Sequence, residues 1–259
     1  MSVPQNLNIV FRSYCSANRF IRENNLWHFV YIPGIVNIIL FYFSFNWFVS
    51  SIETWITGMF EFGCEDAYLP WVCSALSKSA GLLHFFVKWF LHIAFIGLYL
   101  SIYKSILLVI YSPVLAYLVD ILEKKYRGVE EPFRLEQFIR DAVRGIVLAI
   151  RGLLLEGAAV LGLFLLALIP IVNLIQPIII WFLSAYFLGV SMLDYTLEKK
   201  GMNIKESIIY TKKNKSLAVG IGTIFQLIFL IPFLGWMIAP TYGVVAAYFA
   251  VDKLGNTNN

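Results

Sequence analysis

The chain reads as an all-α integral membrane protein, with two long transmembrane helices and two helical hairpins that turn at prolines partway through the bilayer. Three observations point there. Of its 259 residues, 59% are hydrophobic and only 14% are charged, where a soluble domain carries about a quarter charged. Several apolar runs reach or exceed the ~20 residues that cross a bilayer. Prolines interrupt the last two runs, as in LIPIVNLIQPIIIWFLSAYF, residues 168–187, where Pro170 and Pro177 break what would otherwise be one crossing helix.

The opening twenty residues, MSVPQNLNIVFRSYCSANRF, lack an apolar core followed by a small-residue cleavage site. Insertion is therefore expected to rely on the first spanning segment. That segment is Phe29–Val49, whose 21 residues make a helix of about 31 Å, enough for the hydrocarbon core. Pro33, near its start, fits a first helical turn. The second run, 80–119, holds only His84, Lys88, His92 and Lys104 as charged or titratable groups. It exceeds one membrane thickness, so it tilts or projects, and Pro113 ends or kinks it.

A charged, amphipathic stretch, 120–151, leads to two apolar blocks, about 153–195 and 217–251, which form an internal repeat. Leu168-Ile169-Pro170 is followed by Ala185-Tyr186-Phe187, and Leu230-Ile231-Pro232 by Ala247-Tyr248-Phe249. Proline to tyrosine is 16 residues in both, with Pro177 and Pro240 between. Repeated helix–turn–helix units are a common way to build transporters. In the second block the arms are expected at Leu217–Ile231 and Thr241–Val251, 15 and 11 residues. At roughly 22 and 16 Å they fall short of the core. A turn at membrane depth is tolerated where protein buries it or where it lines a wet cavity. The organisation is a single membrane domain, 1–259: segment 10–49 with the first span, 80–119 the second, 133–195 the amphipathic helix and first hairpin, 217–251 the second hairpin.

Basic residues set the topology. Arg12, Arg19 and Arg22 precede the first span, seven Lys or Arg fall in 120–151, and six in the linker between the hairpins. The loop 50–79 has only Lys78 against Glu53, Glu61, Glu65 and Asp66. Both termini are therefore expected in the cytoplasm. Because the basic residues cluster at membrane flanks, no nucleic-acid partner is expected. Cys15, Cys64 and Cys73 form no CxxC pair and no His cluster, so neither a metal nor a cofactor is implied. Cys64 and Cys73 share the outer loop, where a disulfide and two free thiols are both compatible with the spacing. The chain contains no HExxH, GxSxG, Walker A or GxGxxG pattern, and it is read as not an enzyme.

Several segments, in order, resemble the CysZ family of bacterial sulfate permeases and its etoposide-induced-protein relatives in eukaryotes. They are FVYIPGIVN (29–37), YSPVLAYLVD (111–120), RDAVR (140–144), WFLSAYFLGVSMLDY (181–195) and LIPFLGWMIAP (230–240). The resemblance covers about residues 10–253. It implies two long spanning helices with two hemi-penetrating hairpins, assembled as oligomers around an anion path in a bacterial inner membrane. It also implies a sulfate contact in a short Gly-hydrophobic-Arg loop at the entrance to the first long helix. Here that loop is Asn25-Leu26-Trp27-His28. Leu26 fits, Asn25 replaces glycine, and Trp27 and His28 stand where the family has basic residues. A neutral histidine donates one hydrogen bond, where arginine offers five and a fixed charge.

Other residues suit an anion path through their own chemistry. Glu136, Arg140, Arg144 and Arg151 fall on one helix face, with Asp141 nearby. They form either a basic stripe at the cytoplasmic mouth or the solvated side of a helix lying on the membrane. His84, Lys88 and His92 either gather anions outside or pair with Glu53 and Glu61. Lys104 and Glu156, both within apolar runs, either serve transport or neutralise one another. Asp194 is expected to orient a neighbouring base such as Lys199. The substrate-binding set is Asn25, Leu26, Trp27, His28, Arg140, Arg144 and Arg151. The function expected is a homo-oligomeric permease or channel for sulfate or a related small oxyanion, without ATP hydrolysis. The alternative is a membrane organiser or adaptor without a pore.

Overall fold

In a computed structural model, residues 3–60, 106–128, 135–166 and 170–257 are described, with Trp89, Tyr99 and Tyr103. Cys64, Cys73, His84, Lys88, His92 and Lys104 lie outside the described residues, as does most of the expected outer loop. The described residues are helical almost throughout, so the chain is all-α. Its elements are α1 (Val3–Glu23), α2 (His28–Phe60), α3 (106–122), α4 (Leu135–Leu166), α5 (Pro170–Lys199), α6 (Ile204–Lys213), α7 (Lys215–Phe229) and α8 (Leu234–Thr257). A π-helical turn, Glu123–Arg127, continues α3 and stops at Gly128, whose φ of 70° suits glycine.

Among the described residues, four stretches are long and apolar enough to cross a membrane: His28–Ile52, Ile106–Arg127, Ile175–Lys199 and Leu234–Gly255. The protein is a multi-pass membrane protein. Helix α7, with 15 residues, is shorter, at about 22 Å.

Two prolines expected to interrupt helices do not. Pro177 and Pro240 lie inside helices α5 and α8. The expected final arm, Thr241–Val251, is in fact the 24-residue helix Leu234–Thr257. A proline removes only its own N–H and crowds the carbonyl four residues back, Asn173 or Trp236 here. In an apolar segment packed by neighbours, that local defect is absorbed without a break. The chain reverses instead at Leu230–Phe233, around Pro232. Residues 167–169, between α4 and α5, lie outside the described residues.

Contacts divide the chain into two compact units, Met1–Asn37 with Ser105–Asn259, and Ile38–Lys104. In the first, α1 is amphipathic: Val10, Tyr14, Ala17 and Ile21 are buried at steps of four, three and four. Its polar groups lock onto the C-terminal hairpin. Asn6 donates to Ser216 Oγ at 2.6 Å, Tyr14 to the Ile221 carbonyl at 2.9 Å, and Lys253 of α8 to the Arg12 carbonyl at 3.1 Å.

The closest helix contact is α5 on α7. A Cβ added at Gly189 would run into the Ala218 carbonyl, and one at Gly222 into the Ala185 carbonyl. The pairs Ala185/Gly222 and Gly189/Ala218 run in opposite directions, so the two helices cross antiparallel. This is small-xxx-small packing, which substitutes backbone proximity for a hydrophobic driving force that lipid cannot supply.

In the second unit, Tyr99 meets Phe41, Phe45 and Phe48 at centroid distances of 5.8, 5.6 and 4.8 Å. Its hydroxyl lies 2.6 Å from Ser44 Oγ.

Candidate functional site

The first place of interest is the link between α1 and α2. Asn24 closes α1 by donating its side-chain amide to the Phe20 carbonyl at 3.0 Å, and Leu26 N–H returns to the Ile21 carbonyl, also at 3.0 Å. Asn25 takes a φ of 53°, in the left-handed region. Asparagine is among the few residues besides glycine that adopt it at modest cost. The turn therefore forms here without a glycine. Asn25→Gly is expected to change stability by less than about 0.5 kcal/mol, and Asn25→Val to cost about 1–2 kcal/mol, read from thermal unfolding in detergent.

Leu26 is buried and pins the turn to the core, while Asn25 and His28 are exposed. Trp27 stacks on Tyr31 at 5.8 Å, and the His28 ring lies 4.4 Å from that of Phe29. His28 is the first residue of α2, so the turn stands at a helix N-terminus, where N–H dipoles favour anions. Sequence reasoning missed Lys125. From the π-helical turn, its ammonium donates to the Asn24 carbonyl at 2.9 Å. It brings a full positive charge beside the turn Asn25–His28. Only the fold reveals this, across 101 residues of chain.

The second place is a buried charge network. Arg144 holds Asp194 in a fork, with Nε and Nη2 at 3.0 and 2.9 Å from its two oxygens, and Nη1 donates to the Met202 carbonyl at 2.6 Å. Glu198 stands 3.6 Å from the same Nε. Lys199 pairs with Asp120 and, at 2.9 Å, with Asp141. Ser207 of α6 donates to Asp194. The expected partner of Asp194, Lys199, thus turns to Asp120 and Asp141, and Arg144 takes its place. Residues five apart on a helix point about 140° apart, so Asp194 and Lys199 face different neighbours.

Chemically, the network joins α3, α4, α5 and α6. It sets Arg144 and Lys199 against Asp120, Asp141, Asp194 and Glu198, so carboxylates outnumber cations and an oxyanion is repelled there. With its side chain 12% exposed, Arg144 is committed to this junction. Arg140 and Arg151 differ: both are exposed, and among the described residues neither is in an ion pair. They flank the outward apolar row Ile139, Val143, Val147, Ile150 and Leu154.

Glu156 is buried in a small recess with Leu108, Gly152, Leu153, Leu188 and Ser191. Among the described residues, no cluster of three His, Cys, Asp or Glu could hold a metal.

A family model described as Sulfate transporter CysZ/Etoposide-induced protein 2.4 matches residues 15–240. The chain is 23% identical over 230 residues to a protein named sulfate transporter CysZ from Pseudomonas syringae pv. tomato, covering 88% of this chain and 85% of that one. It is 26% identical over 217 residues to the protein of that name from Vibrio cholerae, covering 82% and 80%. With the one from Pectobacterium atrosepticum it shares 24% over 241 residues, covering 92% and 82%. These relatives are named as transporters, in keeping with a chain that is not an enzyme. The match spans the α1–α2 turn, the buried network and most of both apolar repeats, and the chain belongs to the Sulfate transporter CysZ/Etoposide-induced protein 2.4 family.

Proposed function

We propose that this protein is a homo-oligomeric permease or channel for sulfate or a related small oxyanion in a bacterial inner membrane, with both termini cytoplasmic. The family match over residues 15–240 carries the proposal. The membrane arrangement is two long spans, through α2 and α3, with α4–α5 and α7–α8 as re-entrant hairpins. The 15 residues of α7 support the second of these, since they fall short of the hydrocarbon core. The anion meets the turn Asn25, Leu26, Trp27 and His28 at the head of α2, where Lys125 adds charge, and the exposed cations Arg140 and Arg151 beside α4. Arg144 serves the same path by holding the hairpin to α6 through Asp194 rather than by touching solute.

Purified protein in liposomes tests this through labelled-sulfate uptake. His28→Arg, which restores a fixed charge and a donor fork, is expected to raise uptake several-fold. Arg140→Gln with Arg151→Gln is expected to lower it about 10-fold, the scale of one charged hydrogen bond lost from the route. Absence of sulfate, sulfite or other oxyanion flux above empty vesicles overturns the proposal.

One observation favours a second reading, a membrane organiser without a pore. The buried charges of α4 and α5 are paired with each other and with α3 and α6 rather than arrayed along an open cavity. Such a protein would show no flux while retaining the fold and the network.

A further inference from the structure

We infer that the outward face of α6 is a binding surface for anionic phospholipid headgroups, a role separate from any anion path. The placement of α6 comes first. Helix α5 ends its apolar stretch at Lys199, α7 begins its own at Lys215, and the two cross antiparallel, so α6 connects them at one membrane face. A ten-residue helix in that position lies where apolar chain gives way to headgroups.

Its rotation is fixed. Ser207 and Thr211 are buried, and Ser207 is hydrogen bonded to Asp194 of α5. Asn203 and Glu206 close a capping box at the N-terminus, with bonds of 2.8 and 3.0 Å. The opposite side must then face outward, and it carries Lys205, Ile209, Lys212 and Lys213, at steps of four, three and one. Ile209 is 54% exposed, and all three lysines are exposed, as is Lys215 at the head of α7.

Charge complementarity names the occupant. Glu206 is the acid of α6, and the capping box holds it, so nothing on the helix neutralises the lysines. Among the described residues, Lys205, Lys212, Lys213 and Lys215 form no ion pair. An isoleucine ringed by lysines suits an interface, where the apolar side chain enters the acyl boundary and the ammonium groups snorkel to phosphates. Four lysines next to a spanning helix match the clusters that select anionic lipid. A soluble oxyanion would not account for the exposed isoleucine at the centre.

The test is hydrogen–deuterium exchange of the full chain in nanodiscs of phosphatidylglycerol against nanodiscs of phosphatidylcholine. Phosphatidylglycerol is expected to slow exchange in α6 about 10-fold while leaving α8 unchanged. The quadruple variant K205Q/K212Q/K213Q/K215Q is expected to lose that difference, and the matching Lys→Arg variant to keep it. Equal α6 exchange in both lipids, or a difference that survives the glutamine variant, overturns the inference. So does protection reproduced by inorganic phosphate or sulfate in phosphatidylcholine nanodiscs, which would assign the lysines to a soluble anion. If the glutamine variant fails to fold, which altered α8 exchange would show, the wild-type comparison and the arginine variant decide. Liposome flux of the same variants separates this surface from the transport proposal.

Discussion

Replacing Gly222 with leucine is expected to abolish recovery of folded protein, and Gly222→Ala alone to cost at least ~3 kcal/mol. Here even one methyl group meets a backbone oxygen, that of Ala185, and a carbonyl inside a helix cannot swing aside as a side chain would. The two helices must separate, and every small-residue contact along the crossing is lost with them. Gly189 is in the reciprocal position against Ala218, so Gly189→Ala is expected to fail in the same way. Gly162 supplies the control, because nothing described lies within 4 Å of a Cβ added there. Gly162→Ala is expected to be neutral or to gain up to about 1 kcal/mol of helix propensity. Fluorescence-detected size-exclusion after a temperature series reads all of these. A Gly222→Ala protein as stable as Gly162→Ala would show that α5 and α7 do not cross this closely.

The second large effect concerns Asp194. Its side chain is 4% exposed and that of Arg144 is 12% exposed, so Asp194→Ala leaves a desolvated guanidinium facing a cavity. Removing one member of such a pair costs about 3–5 kcal/mol, whereas removing both for apolar residues of similar volume is far milder. Asp194→Leu combined with Arg144→Met is therefore expected to recover most of the loss of the single variant. The double-mutant cycle should give a coupling of roughly 2–3 kcal/mol. Additive effects of the two substitutions would mean that the fork contributes little and that the network merely fills space. Ser207 also donates to Asp194, so the Asp194 variants should loosen α6 as well, visible as faster amide exchange over Ile204–Lys213.

Much of this architecture was legible in the sequence, because membrane insertion depends on properties that sequence displays directly. Runs such as Phe29–Val49 announce a spanning helix by length and apolarity alone. The Ala–x–x–x–Gly steps at Ala185 and Ala218 were equally visible, but which helix each one faces is a property of the fold. The length of α8 was hidden by Pro240, since a proline in a helix and a proline ending one look alike until the packing around it is known. The spacing of Arg140, Arg144 and Arg151 suggested one shared helix face, yet Arg144 is 12% exposed while Arg140 and Arg151 are exposed. It did not tell which arginine meets a carboxylate, because Asp194 arrives from another helix 50 residues later. Lys125 and the burial of α1 depended on similar long-range contacts. The period of Val10, Tyr14, Ala17 and Ile21 is nevertheless that of an amphipathic helix.

The reversal between α7 and α8 bears on how the chain enters a bilayer. Its end of α7 is stoppered from within: the Trp236 indole donates to the Phe229 carbonyl at 3.0 Å, and Gly235 N–H returns to Ile231 at 2.9 Å. Around that closure Leu230, Ile231, Phe233 and Leu234 all point outward. The tip is thus a greased nose that brings much of its own solvation for the peptide groups. In the re-entrant arrangement proposed above, such a tip would slide into oil from one side without dragging water, and the thickness of the host membrane would set where it comes to rest.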